Sequence, residues 1–164
     1  MQTNYPLIFI VENDSSYNKL IASHLISDKF NRTESFFTWE ECLKNLYKKP
    51  DIIILDYQMN GVNGMSGIDV LKESKKFNPK TEYVFLSEDD NFDLAINTIK
   101  YGAYDYVIKD QFAFKQLTGK INKIMRIQQL RLHNKRYKVG LTLLFITLAL
   151  LIMSFVSFAI NFPK

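Results

Sequence analysis

The chain has 164 residues, of which 47% are hydrophobic and 14% aromatic, and its formal net charge is +4 at pH 7. Its low content of glycine (6) and proline (4) excludes a disordered chain, and its length accommodates one domain of ordinary size. The single cysteine, Cys42, excludes an intrachain disulfide and indicates a reducing compartment, and we expect it to be half-buried in a helix.

Short apolar runs alternate with helical patterns along most of the chain. The first run, residues 7–11, is continuous rather than alternating, as in a parallel strand that is buried on both faces. Because Glu12 follows this short run at once, we expect no signal peptide. Asp14 or Ser15 is predicted to cap a first helix. Four more strands are predicted, at residues 33–37, 52–55, 83–86 and 106–108.

Four more helices lie between and after these strands. Thr38 is predicted to begin the second helix, with Glu41 three residues later completing a capping box, and Pro50 ends that segment. The third and fourth helices are predicted at residues 68–78 and 92–99. The fifth begins at Phe112, and no proline interrupts it before Pro163, so it can continue into the apolar run described next.

Residues 139–160 form a run without a single charged side chain. A helix of this length spans about 30 Å, the thickness of the hydrocarbon core of a bilayer. We therefore predict a transmembrane helix at residues 139–162. A helix buried inside a large protein is the alternative, but the rest of the chain is only one small domain. We divide that part into a domain at residues 1–128 and a basic helical extension at residues 129–138.

Charge is distributed unevenly and predicts an orientation. Up to residue 110 the chain carries 12 basic and 17 acidic residues, whereas from Gln111 onward it carries 9 basic residues and no acidic one. Four basic residues precede the apolar run: Arg131, Lys135, Arg136 and Lys138. They favour a single-pass protein of the cell (inner) membrane whose N-terminal domain is cytoplasmic, with the basic residues against lipid headgroups. We expect no nucleic-acid binding, since one basic helix without a helix-turn-helix or an aromatic platform is a poor match.

Five strands that alternate with five helices predict the fold class α/β. The expected architecture is a doubly wound five-stranded parallel sheet, flavodoxin-like and of (βα)5 type, followed by one C-terminal transmembrane helix. Ligands of such sheets bind beyond the carboxyl ends of the strands.

Polar residues follow four of the five predicted strands. Glu12 and Asn13 follow the first, Asp56 the third, Ser87 the fourth and Lys109 the fifth. A single residue of this kind usually caps a turn, but four strand ends at one edge of a sheet indicate a site. The set suits phosphoryl transfer: a carboxylate can hold an acyl phosphate, Mg²⁺ takes oxygen ligands, and a lysine ammonium attracts the phosphoryl group.

The sequence resembles the receiver domain of two-component response regulators over residues 5–128. The matching segments are IFIVEND (residues 8–14), PDIIILDYQM (50–59), GMSGIDVL (64–71), YVFLSEDD (83–90) and YGAYDYVIKD (101–110). The resemblance implies that Asp56 is the phosphoacceptor and that Ser87 and Lys109 assist the reaction. It also implies that Ser87 and Tyr106 form the conformational switch. The implied ligands of Mg²⁺ are Glu12, Asn13, Asp56 and, through its carbonyl, Gln58.

Several positions depart from the family pattern. Asn13 stands where the family has a second acidic metal ligand, so weaker Mg²⁺ binding and slow phosphorylation are expected. Glu88 replaces a small residue after the switch serine. Asp110 replaces a proline whose peptide bond is cis in the family, and a cis bond without proline costs about 3 kcal/mol, so a rebuilt loop is expected. The loop near residues 61–63 carries about three extra residues, and Asn60 stands where proline is usual.

The leading hypothesis is a membrane-anchored single-domain response regulator. Asp56 would accept a phosphoryl group from a histidine kinase or phosphotransfer protein, and output would be a changed interaction surface. A homodimer through the face formed by helix 4, strand 5 and helix 5 is a further expectation. The rival hypothesis is a pseudo-receiver, a membrane-tethered docking module that takes no phosphate. A related phosphatase would need a carboxylate where Gln58 stands, so we expect no turnover activity.

Overall fold

The computed structural model describes residues 5–59, 65–88 and 92–161, and the chain divides into two compact units at Ile124. The first unit contains a single five-stranded sheet in the order β2-β1-β3-β4-β5, with every pair parallel. The strands are β1 (Ile8–Val11), β2 (Thr33–Phe36), β3 (Ile52–Asp56), β4 (Glu82–Ser87) and β5 (Asp105–Ile108). The predicted flavodoxin-like (βα)5 fold is confirmed.

Helices connect the strands in alternation. They are α1 (Ser15–Ser27), α2 (Trp39–Lys44), α3 (Gly67–Phe77), α4 (Phe92–Lys100) and α5 (Ala113–Asn161), with a 3₁₀ turn at Leu46–Lys48 after α2. Within the first unit each helix begins beyond the end of a strand, so the helical segments there run antiparallel to the strands. We name the side where strands end the carboxyl edge and the side where they start the amino edge.

Burial explains why the apolar runs become strands. All residues of β1 and β3 are buried, as the continuous runs predict for central strands covered on both faces. The core on one face gathers Phe9, Trp39, Tyr83 and Phe85 between the sheet and helices α2 and α3. Burial of aromatic side chains of this size is a main source of stability in a domain this small.

The helix caps differ in part from the sequence prediction. Asp14 caps α1, because its carboxylate accepts hydrogen bonds from the backbone of Ser16 and Tyr17 at 2.7 and 3.1 Å. Thr38 caps α2, but the Glu41 carboxylate accepts from the backbone of Phe37 instead of closing a capping box. The complete capping box is that of α3, where the serine and the aspartate three residues on are joined reciprocally.

Cys42 is fully buried, which corrects the prediction of a half-buried thiol. It lies on the inner face of α2, in the core cluster that contains Trp39. Burial raises the pKa of the Cys42 thiol to about 12, so the reactive thiolate is scarce at neutral pH. The residue is therefore a small core side chain.

The second unit begins at Met125 and carries the greater part of α5. Within the described ranges, one helix is long and apolar enough to cross a membrane, and it holds the run predicted from the sequence. Between residues 139 and 158 of this helix the leucine and phenylalanine side chains are exposed. Length and composition thus make it a candidate membrane span.

Candidate functional site

The carboxyl edge brings together the polar residues that the sequence singled out. Asp56 is the last residue of β3 and Ser87 the last residue of β4, and these strands are neighbours. The backbone amide of Lys109 donates to the carbonyl of Ser87 at 2.8 Å, which fixes the lysine at the end of β5. Glu12 follows β1, the other neighbour of β3. Topology alone therefore places these four side chains at adjacent strand ends.

Lys109 lies between two carboxylates. Its Nζ is 2.7 Å from Glu12 Oε2 and 3.2 Å from Asp56 Oδ2. The three side chains are 9%, 1% and 4% exposed, respectively. A buried cation between two buried anions offsets their desolvation, so removal of the lysine leaves both carboxylates uncompensated.

The backbone holds the other oxygen of each carboxylate. Glu12 Oε1 accepts from the amide of Asp14 at 3.0 Å, and Asp56 Oδ1 accepts from the amide of Gln58 at 3.1 Å. Both carboxylates are thus fixed by the amide two residues on, with their second oxygens directed at Lys109. Such preorganisation suits a group that must present one oxygen to a reacting atom.

Burial and charge act on this cluster in opposite directions. Burial raises the pKa of Glu12, and the hydrogen bond with Lys109 offsets only part of that effect. Burial lowers the pKa of Lys109, but the hydrogen bond to Glu12 and the charge of Asp56 outweigh it, so the lysine pKa is raised overall. Lys109 therefore remains charged at neutral pH.

Tyr17 is a site residue that the sequence analysis missed. Its ring centre lies 5.1 Å from Lys109 Nζ, within the range of a cation–π contact, and 5.6 Å from the ring centre of Phe114 in α5. Its buried hydroxyl has no hydrogen-bond partner among the residues that the structure describes. The sequence feature that could have identified Tyr17 is its position three residues after the Asp14 cap. That position lies in the first turn of a helix that begins at the carboxyl edge.

One cavity joins these groups. It is lined by Glu12, Asn13, Asp14, Tyr17, Asp56, Gln58, Glu88 and Lys109. The predicted ligand positions therefore share one cavity, and oxygen donors prevail on its walls. This donor chemistry fits a hard cation such as Mg²⁺, which Glu12, Asp56 and Asn13 would hold and which would neutralise phosphoryl oxygens.

Asn13 contributes no charge to the cavity, at the position where the family has a second acidic metal ligand. No group of three or more acidic, histidine or cysteine side chains placed to hold a metal occurs within the described ranges. Asp14 does not replace the missing acid, because its Oδ1 accepts from two backbone amides of α1. Among the predicted ligands only Glu12 and Asp56 carry a charge, and Lys109 between them offsets one of the two, so the ligand set itself attracts a cation weakly.

The other predicted residues occupy different surroundings. Ser87 is fully buried, whereas Glu88 is exposed and borders the cavity. Tyr106 is partly buried and packs against the core cluster. Their predicted roles in switching remain predictions. Asn60 and the loop at residues 61–63 lie outside the described residues.

The loop after Lys109 is held by Asp110. No peptide bond within the described residues is cis, so the bond after Lys109 is trans. The Asp110 amide donates to the carbonyl of Ile108 at 2.9 Å, and its carboxylate accepts from the amide of Phe112 at 2.8 Å. An aspartate that bonds two residues forward is a common turn former, which explains how the chain enters α5 without proline.

Asn13→Asp is expected to raise the affinity for Mg²⁺ at least about tenfold, because it adds a full charge to the ligand set. Without the metal, the same variant should be less stable, since a third carboxylate then faces two others. Thermal unfolding at increasing Mg²⁺ concentration measures both effects. Asn13→Ala serves as the control, and an aspartate variant with unchanged Mg²⁺ dependence would show that residue 13 does not face the cation.

Comparison with known proteins assigns most of the first unit to the family that the sequence motifs resemble. The family described as response regulator receiver domain matches residues 8–122. The chain is 33% identical over 103 residues to an NtrX-like response regulator of Rickettsia felis, covering 62% of this chain. It is 26% identical over 120 residues to the transcriptional regulatory protein CssR of Bacillus subtilis, covering 73% of this chain and 51% of that protein. The chain spans only 21% of the length of the Rickettsia relative.

Solved structures show the same likeness. The receiver domain of the Francisella response regulator 1452 superimposes with a TM-score of 0.65 at 25% identity, covering 75% of this chain and 98% of that one. NtrX from Brucella abortus gives a TM-score of 0.70 at 25% identity, covering 79% of this chain and 29% of that one. With the fold, the strand-end carboxylates and the family match in agreement, the chain belongs to the receiver-domain family of response regulators.

Proposed function

We propose that this chain is a membrane-anchored response regulator that accepts a phosphoryl group on Asp56 and signals through a change of its interaction surface. Receiver domains generally bind Mg²⁺ and receive phosphate from histidine kinases or phosphotransfer proteins. The observation that carries the proposal is the position of Asp56. Its carboxylate lies at the end of β3, 3.2 Å from Lys109, and borders a cavity rich in oxygen donors.

The chemistry of the reaction follows from that arrangement. A carboxylate oxygen of Asp56 attacks phosphorus, the bond to the donor's leaving group breaks, and an acyl phosphate forms. Lys109 stabilises the charge on the phosphoryl oxygens as a point charge. Ser87, one strand away, is the hydroxyl donor that the family pattern assigns to the arriving group. A bound Mg²⁺ supplies further charge neutralisation.

The membrane anchor rests on α5. Its run from residue 139 to residue 160 carries no charged side chain, and four basic residues precede it. Basic residues on the N-terminal side of the run favour a cytoplasmic location for the receiver domain. Signalling would then occur between proteins held at one membrane, where a homodimer through α4, β5 and α5 forms more readily than in solution.

The test is phosphoryl uptake by the full chain in detergent. The protein is incubated with Mg²⁺ and acetyl phosphate, and its intact mass is followed, with Asp56→Asn as the control. We expect the gain of one phosphoryl group in the natural chain and none in the control. Equal uptake by both chains would contradict the assignment of Asp56.

A phosphate-independent docking module is the second candidate, and two observations favour it. Lys109 already pairs with both carboxylates, and Asn13 contributes no charge to a cation site. If a folded chain takes up no phosphoryl group from acetyl phosphate or from a phosphorylated kinase, this candidate replaces the first. The chain would then bind its partner in one state only.

A further inference from the structure

Six lysines gather at the amino edge of the sheet, opposite the candidate site. They are Lys44, Lys48, Lys49, Lys75, Lys76 and Lys80, and with Tyr47 and Phe77 we name them the lysine edge. Hydrogen bonds join the segments that carry them. Asn78 Nδ2 donates to the carbonyl of Leu46 at 2.7 Å, and Thr81 Oγ1 donates to the carbonyl of Pro50 at 2.7 Å.

Acidic side chains neutralise only half of these lysines. Lys48 pairs with Glu34 and Lys76 with Glu73, each at 2.6 Å, and Lys75 lies 3.9 Å from Glu82. The other three, Lys44, Lys49 and Lys80, are exposed and make no ion pair with any residue that the structure describes. The lysine edge therefore carries excess positive charge.

Two large aromatic side chains stand exposed among the lysines. Tyr47 is 73% exposed and Phe77 is 75% exposed. Helix dipoles explain why lysines collect at helix ends, but they do not explain exposed aromatic rings. Basic residues interspersed with aromatic ones are the composition that protein surfaces use at the interface of a membrane.

The chain leaves the first unit at the amino edge, the side of the sheet where the lysine edge lies. Lys120 Nζ in α5 is 2.6 Å from Asp105 Oδ2, and Asp105 is the first residue of β5. Helix α5 has thus reached the level of the amino edge before the unit ends at Ile124. Only fourteen residues lie between Ile124 and Val139, so an anchored chain keeps the lysine edge at high local concentration near lipid.

The carboxyl edge has the opposite charge. Glu12, Asp14, Asp56, Glu88 and Asp110 lie there, with Lys109 between two of them. An anionic bilayer repels that edge and attracts the lysine edge. The domain thus has two poles, and only the basic one suits a lipid surface.

We propose that the lysine edge docks on the anionic phospholipid of the leaflet that the chain is anchored in, so that the cavity of Asp56 faces away from the membrane. The inference rests on the proposed membrane anchor. Lysine ammonium groups contact phosphate headgroups, and the rings of Tyr47 and Phe77 enter the headgroup layer. Docking leaves the phosphoacceptor open to a kinase.

The test places a fluorophore either at the lysine edge or at the carboxyl edge of the full chain. The native thiol is removed by Cys42→Ala, and a polarity-sensitive dye is attached at Phe77→Cys or, at the carboxyl edge, at the exposed Gln111→Cys. Labelled chains are reconstituted into nanodiscs of phosphatidylcholine with or without phosphatidylglycerol, and quenching by a spin-labelled lipid headgroup is measured. Trp39 emission verifies that each variant is folded, and Tyr47→Cys is the second label site if Phe77→Cys unfolds.

We expect strong quenching at residue 77 only in the anionic discs, and weak quenching at residue 111 in both. Each lysine near an anionic surface changes affinity about fivefold, so Lys44→Glu with Lys80→Glu should lower the ratio of docked to free domains at least about 25-fold. The matched pair Lys19→Glu with Lys115→Glu, two exposed lysines away from the lysine edge, should leave the ratio unchanged.

Three results would overturn the inference. Equal quenching at residues 77 and 111 in a chain that co-elutes with nanodiscs would overturn it alone and leave the anchor intact. Protection of the label by a DNA duplex, without quenching by lipid, would assign the lysine edge to nucleic acid. A folded chain that does not co-elute with nanodiscs would overturn the anchor, and this inference with it.

Discussion

Lys109→Met is expected to lower the free energy of unfolding by about 3 kcal/mol and the rate of phosphoryl uptake by about 100-fold. The stability loss arises because Glu12 and Asp56 are buried and share this single cation. The loss of rate arises because no side-chain cation then meets the phosphoryl group. Urea unfolding followed through Trp39, the only tryptophan and a buried one, measures the first effect in the receiver unit.

Two controls separate charge from packing in that variant. Lys109→Arg keeps the charge and should recover most of the stability but less of the rate, since its planar guanidinium differs in shape. Addition of Mg²⁺ should restore stability to Lys109→Met, because the cation replaces the missing charge between the carboxylates. A methionine variant as stable as the natural chain would contradict the role given to the ion cluster.

Three arginines in the apolar run are expected to release the chain from the membrane. Leu144→Arg, Leu148→Arg and Leu151→Arg lie on one side of the helix, and each costs about 3 kcal/mol at the centre of a bilayer. The sum, about 9 kcal/mol, exceeds the favourable free energy of membrane insertion that the remaining apolar residues of the run contribute. Alkaline extraction of isolated membranes should move the variant from the pellet to the supernatant.

The matched control carries phenylalanine at the same three positions. It keeps the run apolar and should stay in the pellet with the natural chain. If the arginine variant also resists extraction, the attachment would have to come from the first unit or from a partner, and the anchor would be wrongly assigned to residues 139–162.

Most of the fold was predictable, because short continuous apolar runs that alternate with helical patterns are typical of buried parallel strands. The runs 7–11 and 52–55 are the central strands β1 and β3, buried on both faces. Strand ends were less predictable. Residues 56 and 87 are polar and fell outside the predicted strands, yet their backbones still pair within the sheet. Pairing depends on the neighbouring strand, which side-chain periodicity does not report.

The site was predictable as far as topology fixes it. Parallel strands end at one edge, so Glu12, Asp56 and Lys109 had to be near each other. Their distances depend on rotamers and on backbone amides, and no sequence pattern indicates that Lys109 lies closer to Glu12 than to Asp56. Tyr17 escaped notice because its approach depends on packing between α1 and α5.

Chemical trapping identifies the carboxylate that carries the phosphoryl group, which we assign to Asp56. The full chain is incubated with Mg²⁺ and acetyl phosphate, reduced with borohydride, digested, and analysed by peptide mass spectrometry. Borohydride converts an aspartyl phosphate to homoserine and leaves a free carboxylate unchanged. We expect homoserine at position 56 alone. Modification at another carboxylate, or none in a folded chain that was also offered a phosphorylated kinase, would contradict this assignment.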